Sequence, residues 1–184
     1  MLKRLYSLST QCFNGFNLKK PSLLEFEGAG CLFTDDTYVL AGYQPNKRKA
    51  TISGFGGKRL PGETYLQTAL REMIEELFGI IPQSFTLVYI AQNISIKSAY
   101  MNGTYVVVQY SFEDLEHIIE HLGNSNESSK LYKSWPHSIE DLIFSRAYKP
   151  NSEVAQLCIL PLAQNLEISK EFVKDLNEKL RCEV

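Results

Sequence analysis

Apolar residues recur every third or fourth position through the stretch 64–80, where Ala69, Met73, Leu77 and Ile80 share one stripe and charged residues fill the gaps. That period belongs to a helix with one buried face, and it predicts a helix over 64–78. Elsewhere the pattern is that of short strands. Residues 29–33 and 38–43 are β-rich runs around Thr34-Asp35-Asp36-Thr37 and predict a hairpin. Residues 51–55 predict a short strand running into a Gly/Pro-rich turn. Residues 85–96 are rich in β-branched and aromatic side chains and predict another strand. The run YVVVQYSF at 105–112 predicts a strand buried on both faces, with Asn102-Gly103 as the hairpin turn before it. Later come a helix over 114–122 ended by Gly123, a mobile polar loop (GNSNESSK, extending to 137) and a short helix over 139–144. A strand over 155–160 and an amphipathic helix over 169–180, N-capped by Ser169, complete the reading. Such elements build a mixed sheet between helices.

The helix over 64–78 carries unusual charge. Glu72, Glu75 and Glu76 lie three and four positions apart, so three carboxylates share a surface. Like charges at that spacing weaken a helix, so something positive is expected there. A hard divalent cation with oxygen ligands answers the need, and Mg²⁺ favours carboxylates together with substrate phosphates. The bland alternative, a solvated acidic face, leaves the upstream spacing unexplained: Gly57, five residues, Glu63, seven residues, then Arg71-Glu72-Met73, one residue, and Glu75-Glu76.

In these residues, running on to Gly79-Ile80, the chain resembles the Nudix hydrolases. It departs from their box at one place. Two residues, Leu77 and Phe78, stand before Gly79 where the family has one. The carboxylate register is untouched, because the extra residue follows it. The helix must either run one residue longer or bulge, and Gly79 is expected as a left-handed C-cap.

The resemblance implies an α/β fold, the Nudix α/β/α sandwich with a mixed β-sheet, as a single domain over 1–184. It implies water attack on a phosphoanhydride (pyrophosphate) bond of a nucleoside diphosphate derivative, assisted by Mg²⁺, with Mn²⁺ as the alternative ion. Glu72, Glu75, Glu76 and the backbone at Gly57 are the implied metal site. Arg71 is cast as an orienter paired with Glu63, and Glu75 or Glu76 as the general base, with Glu113, Asp114, Glu140 and Asp141 as acids outside the box. Lys58 and Arg59, with the Lys47-Arg48-Lys49 loop, are candidate phosphate clamps. Phe33, Tyr43, Phe55, Tyr100, Tyr132 and Trp135 are aromatics for stacking on a base, although most aromatics are core.

Substrate is less well marked. The tract Gly54-Phe55-Gly56-Gly57-Lys58 is similar to the start of the box in oxidised-purine nucleoside triphosphatases. A small nucleotide is therefore the expected substrate. The alternatives are the messenger RNA cap, a dinucleoside polyphosphate or a diphosphoinositol, and, in another class, a nucleotide-binding sensor without turnover. An RNA path would draw on Lys130, Lys133, Arg146 and Lys149, but a sequence pI near 6.0 argues against a large one. His117 to His121 spells HIIEH, the order of an inverted zinc-peptidase motif; with no third ligand suggested it reads as a decoy.

Composition narrows the rest. A charged fraction of 22% and a net charge of −2 are those of an ordinary soluble protein, without a general drive towards nucleic acid or anionic membrane. No apolar run is long enough to cross a bilayer. Cys12, Cys31, Cys158 and Cys182 are scattered and suggest reduced thiols in a cytoplasmic protein. Residues 1–24 hold Lys3, Arg4, Lys19 and Lys20 and no acid, a faint likeness to a mitochondrial leader; an N-terminal arm is the favoured reading. Nothing in the sequence sets an oligomeric state.

Overall fold

Strand β1 (Gly28–Phe33, GAGCLF) is buried along its whole length, which suits a strand covered on both faces. It occupies the middle of a four-stranded sheet. The order is β4-β1-β6-β5, with β4 at Phe55–Lys58, β5 at Ser98–Asn102 and β6 at Tyr105–Tyr110. The β1–β6 pair is parallel and the other pairs are antiparallel, so the sheet is mixed. A second, antiparallel sheet runs β3-β2-β7, from β3 (Thr51–Ser53), β2 (Tyr38–Gln44) and β7 (Gln156–Pro161). The structure is a computed structural model and describes residues 26–45, 50–125, 128–149, 152–162 and 168–182. The expected arm over 1–24, the Lys47-Arg48-Lys49 loop and Cys12 lie outside the described residues.

Helix α1 (Tyr65–Phe78) covers one face of the first sheet and buries Ala69, Leu70, Met73, Ile74, Leu77 and Phe78 against Ala29, Cys31, Val106 and Val108. Its start is fixed by a capping box. The Thr64 hydroxyl accepts from Gln67 N–H at 3.2 Å, and the Gln67 side chain accepts from Thr64 N–H at 2.9 Å. Its end is Gly79, at φ 67°, whose N–H donates to the Glu75 carbonyl at 3.0 Å. That is an ordinary α-helical bond. The extra residue before Gly79 therefore lengthens the helix by one and makes no bulge.

Three expectations need correction. The run 85–96 is a helix, α2 (Ser84–Asn93), not a strand. Thr86, Leu87, Ile90 and Ile94 are buried at helical spacing while Phe85 and Tyr89 face out, so packing overrides β-propensity. The strand that pairs with β6 through the Asn102-Gly103 turn is β5. The runs either side of Asp35-Asp36 do not form a hairpin: beyond a single Thr34–Val39 bridge, β1 and β2 enter different sheets. Asp35 still makes the turn, accepting from the N–H groups of Thr37 and Tyr38 at 2.9 and 2.7 Å. Finally, α3 (Phe112–Gly123) starts earlier than expected and keeps Gly123 inside it. Ser111 and Asp114 cap one another at the start. Gly123 serves close approach, because a Cβ there would meet the Trp135 indole at 2.7 Å.

Asn126 and Glu127 of the expected mobile loop lie outside the described residues. Farther along it, Leu131 and Tyr132 are buried and Trp135 stacks on Phe78 with ring centroids 5.2 Å apart. The Trp135 indole N–H donates to the Ile119 carbonyl at 2.8 Å. After α4 (Ile139–Phe144) and β7, helix α5 (Lys170–Cys182) covers the other face of the first sheet, setting Phe172 among Leu32, Val39, Ala41, Tyr100 and Val107. Ser169 caps it as expected, accepting from Phe172 N–H at 3.1 Å. Helices on both sides of a mixed sheet are the α/β architecture that the pattern predicts. Among the described residues, no helix is long and apolar enough to cross a membrane.

Candidate active site

Strand β4 and helix α1 bring the two halves of the box together. Gly56 N–H donates to a Glu76 carboxylate oxygen at 2.8 Å, across twenty residues of sequence. Gly57 lies against Glu72 with no side chain between them: a Cβ at 57 would come within 2.5 Å of the Glu72 carboxyl carbon. Glycine is required here by space, not by φ.

Arg71 ties the turn to the helix. Its guanidinium donates to both Glu63 oxygens, at 2.7 Å from Nε and 3.1 Å from Nη2. It also reaches the Lys58 carbonyl at 2.9 Å and Glu72 at 2.8 Å, and stands 3.6 Å from Glu75. Glu63 accepts further from Leu60 N–H and the Thr68 hydroxyl, both at 2.9 Å. Burial pushes the Glu63 carboxyl up, but the bonds from Arg71, Leu60 and Thr68 outweigh it and hold the group below the usual carboxylate range. The Glu75 carboxyl is raised: burial leads, Arg71 pulls the other way, and the charges of Glu72 and Glu63 push up. The expected Glu63–Arg71 pair is therefore present, and the positive group beside the carboxylates is in the first instance Arg71.

Arg71 is thus one positive charge held among the acids of the box, bonded to Glu63 and Glu72 and close to Glu75. Glu72, Glu75 and Glu76 line one cavity of about 410 Å³ together with Lys130, Arg146, Lys149 and Glu153. Among the described residues, no three acids, histidines or cysteines stand together so as to hold a metal ion as they are placed. Glu72 is turned to Arg71 and Glu76 to Gly56. The donor types nonetheless suit a hard cation: three carboxylates lining one cavity and bare backbone at Gly57 against Glu72.

The other candidates are scattered. Lys58 is exposed. Arg59 lies over the Phe26 ring at 4.5 Å and donates from Nε to the Glu63 carbonyl at 3.0 Å, so it staples the turn. Asp114 caps α3, Asp141 lies at the start of α4 and accepts from His137 N–H at 3.1 Å, and Glu140 lines a separate surface hollow with Glu116. Phe33 is stacked on Tyr110 in the core, and Tyr132 and Trp135 pack behind α1. His121 stacks flat on Tyr89, with ring centroids 3.7 Å apart. Sequence reasoning did not single out Glu153, an exposed acid in a patternless polar stretch that lines the same cavity as the box carboxylates.

A second cavity of about 370 Å³ opens between the two sheets and α5. Gly30, Gly54, Phe55 and Gly56 border it, with Gln44, Ser53, Asn102 and Asp175 as polar lining. Gln44 is only 3% exposed, and neither its Oε1 nor the Ser53 hydroxyl has a hydrogen-bond partner among the described residues. Gly56 belongs to both places: it borders this cavity, and its N–H holds Glu76, which lines the other.

No protein-family model and no curated protein matches the chain. Similar solved structures exist, and most are Nudix hydrolases. A bifunctional NMN adenylyltransferase/ADP ribose pyrophosphatase from Francisella tularensis, complexed with AMP and a manganese ion, aligns with 98% of this chain at 14% identity and a TM-score of 0.48. This chain spans 45% of that protein's length. The Nudix hydrolase RenU from M. smegmatis aligns over 86% of both chains at 15% identity and a TM-score of 0.47. A UDP-X diphosphatase aligns over 98% of this chain and 72% of its own, at 12% identity and a TM-score of 0.44. At such identities and TM-scores these likenesses decide neither substrate nor chemistry.

Proposed function

We propose that the chain is a Nudix-type pyrophosphohydrolase that cleaves a phosphoanhydride bond in a small nucleoside di- or triphosphate derivative. One observation carries the reading: the spaced box residues fold into a single site, with Gly56 and Gly57 against Glu76 and Glu72, and Arg71 bonded to Glu63 and Glu72. The Gly57 carbonyl, Glu72, Glu75 and Glu76 are the groups that would hold Mg²⁺ or Mn²⁺. Bound there, such an ion neutralises phosphate oxygens and lowers the pKa of an attacking water.

The chain's own residues do the rest. Arg71 holds Glu72 and the turn at 58–63 in one frame, so the reacting groups keep their spacing. Lys130 and Lys149, which line the same cavity, supply positive charge for the phosphates. The proton of the attacking water passes to a carboxylate oxygen of Glu75, Glu76 or Glu153, three of the four acids that line this cavity, Glu72 being the fourth. The nucleoside end belongs in the cavity between the sheets, whose size suits one heterocycle and its sugar. A base edge presenting an N–H would satisfy Gln44 Oε1, which is costly to leave buried without a partner.

The test is product analysis on nucleoside triphosphates (oxidised purines included), nucleotide sugars, dinucleoside polyphosphates, diphosphoinositol and capped RNA. Each is run with and without Mg²⁺, for the native chain and for Glu76→Gln. Metal-dependent cleavage of a small nucleotide, abolished in the variant, is the expected result. Binding across the panel without cleavage would overturn the hydrolase in favour of a sensor, and cleavage of capped RNA alone would overturn the small substrate.

A further inference from the structure

Helix α1 has to end somewhere, and how it ends fixes where Glu75 and Glu76 stand. The last four carbonyls of a helix have no partner inside it, and α1 has no basic residue in its last turn. Every one of the four is nonetheless met. The Glu75 carbonyl takes Gly79 N–H at 3.0 Å. The Glu76 carbonyl takes Arg146 Nη2 and the Leu77 carbonyl takes Arg146 Nη1, both at 2.7 Å. Leu77 also takes the Tyr132 hydroxyl at 3.1 Å, and the Phe78 carbonyl takes the Ser129 hydroxyl.

Arg146 does more than cap. Its Nη2 also donates to the Val154 carbonyl at 2.8 Å, and its Nη1 approaches the Tyr132 hydroxyl at 3.3 Å. The terminal nitrogens are thus committed to protein oxygens, and Nε is buried with no hydrogen-bond partner among the described residues. A guanidinium so engaged is poorly placed to clamp a substrate phosphate, although the residue lines the same cavity as Glu75, Glu76 and Glu153. Its bonds join two walls: the backbone of Glu76 on one side, and the backbone of Val154, next to Glu153, on the other. A planar fork can span such an arrangement and an ammonium cannot.

We propose that Arg146 is a positioning residue that sets the distance between the box carboxylates and Glu153. It acts through the helix end that the extra residue at 77–78 creates. The proposal deepens the hydrolase reading and its catalytic half rests on it; the structural half does not.

The experiment compares the native chain with Arg146→Ala, Arg146→Lys and Tyr132→Phe. Tyr132→Phe removes a partner from the same helix end without touching Val154. Each protein is measured for melting temperature, for hydrogen exchange at the last turn of α1 and at Ala155, and for kcat and KM. All are measured with and without added guanidinium ion. For Arg146→Ala the expected result is faster exchange at both walls and a kcat lower by roughly 10- to 100-fold, with KM changed little, as for a misplaced catalytic group. Guanidinium should restore both, Arg146→Lys should fall between, and Tyr132→Phe should keep its kcat. A kcat loss no greater than in Tyr132→Phe at equal loss of melting temperature would overturn the proposal. So would failure of guanidinium to restore either readout, or unchanged exchange at Ala155. Should Arg146→Ala not fold, Arg146→Lys decides on the same readouts. A native chain without turnover would sink the hydrolase reading, and the exchange data alone would then decide whether Arg146 couples the walls.

Discussion

Gly57 owes its identity to Glu72. Because a methyl group there would press on the carboxyl carbon at 2.5 Å, Gly57→Ala must swing Glu72 out of its place. The displaced atoms are the free end of a flexible side chain, so the fold should survive and the chemistry should not. We expect turnover to fall by roughly 10- to 100-fold with little change in melting temperature, read by steady-state kinetics beside a thermal melt. Glu76→Gln tests a different property of the same site. It keeps the acceptor for Gly56 N–H but removes charge from the wall, so kcat should fall by at least ~100-fold while the melt is preserved. A variant turning over at the native rate would remove Glu76 from the machinery. At this scale the sequence was readable where the spacing sets contacts: Arg71 meets Glu63, Glu72 and Glu75, and Gly57 lies against Glu72. Arg146 and Glu153 were not readable in these roles. Arg146 lies 70 residues from the helix end it caps, and neither belongs to a period or a motif.

Helix α1 was legible because an apolar stripe and a glycine stop agree on it, and the structure adds a Thr64–Gln67 capping box. Removing one of them gives a measurable cost. Thr64→Ala deletes the hydroxyl that accepts from Gln67 N–H, and the loss should be about 1 kcal/mol of stability. Urea unfolding followed by far-ultraviolet circular dichroism measures it, and a midpoint equal to the native one would show that the rest of the turn, held by Glu63 and Arg71, already fixes the helix start. Helix α2 shows why a single signal misleads. Its β-branched and aromatic content favours a strand, and only the burial of Thr86, Leu87, Ile90 and Ile94 reveals the helical period. The failed hairpin at Asp35 has the same origin. Local residues specify the turn, but whether the flanking strands stay paired depends on β6 and β7, which arrive much later in the chain.

Across the whole molecule, α5 closes the cavity between the sheets, and the closure has a titratable group in it. The Asn102 side-chain amide donates to Asp175 Oδ1 at 2.8 Å, and the Tyr100 hydroxyl donates to the Asp175 carbonyl at 2.7 Å. Burial pushes the Asp175 carboxyl from 3.8 up to about 6; the Asn102 bond and Lys174 oppose the rise and Glu171 adds to it. A carboxyl raised in the folded state binds its proton there while the unfolded chain has already lost it. Between pH 3.8 and about 6 the folded state therefore holds more protons, and this group's contribution to stability falls as pH rises through that window. A shift of this size sets a ceiling of about 3 kcal/mol, reduced here because the side chain is not fully removed from solvent. Asp175→Asn removes the charge and keeps an oxygen for Asn102. The variant should melt higher than the native chain at pH 7.5, keep about half of that advantage at pH 5 and lose the rest only as pH falls to 3.8, with other titrating groups cancelling in the difference between the two. Equal melting temperatures at both pH values would mean that Asp175 meets water freely and that α5 leaves this edge of the cavity open. A difference that shrinks by about half from pH 7.5 to pH 5 would place α5 over the cavity in solution, where it governs access to Gln44 and Ser53.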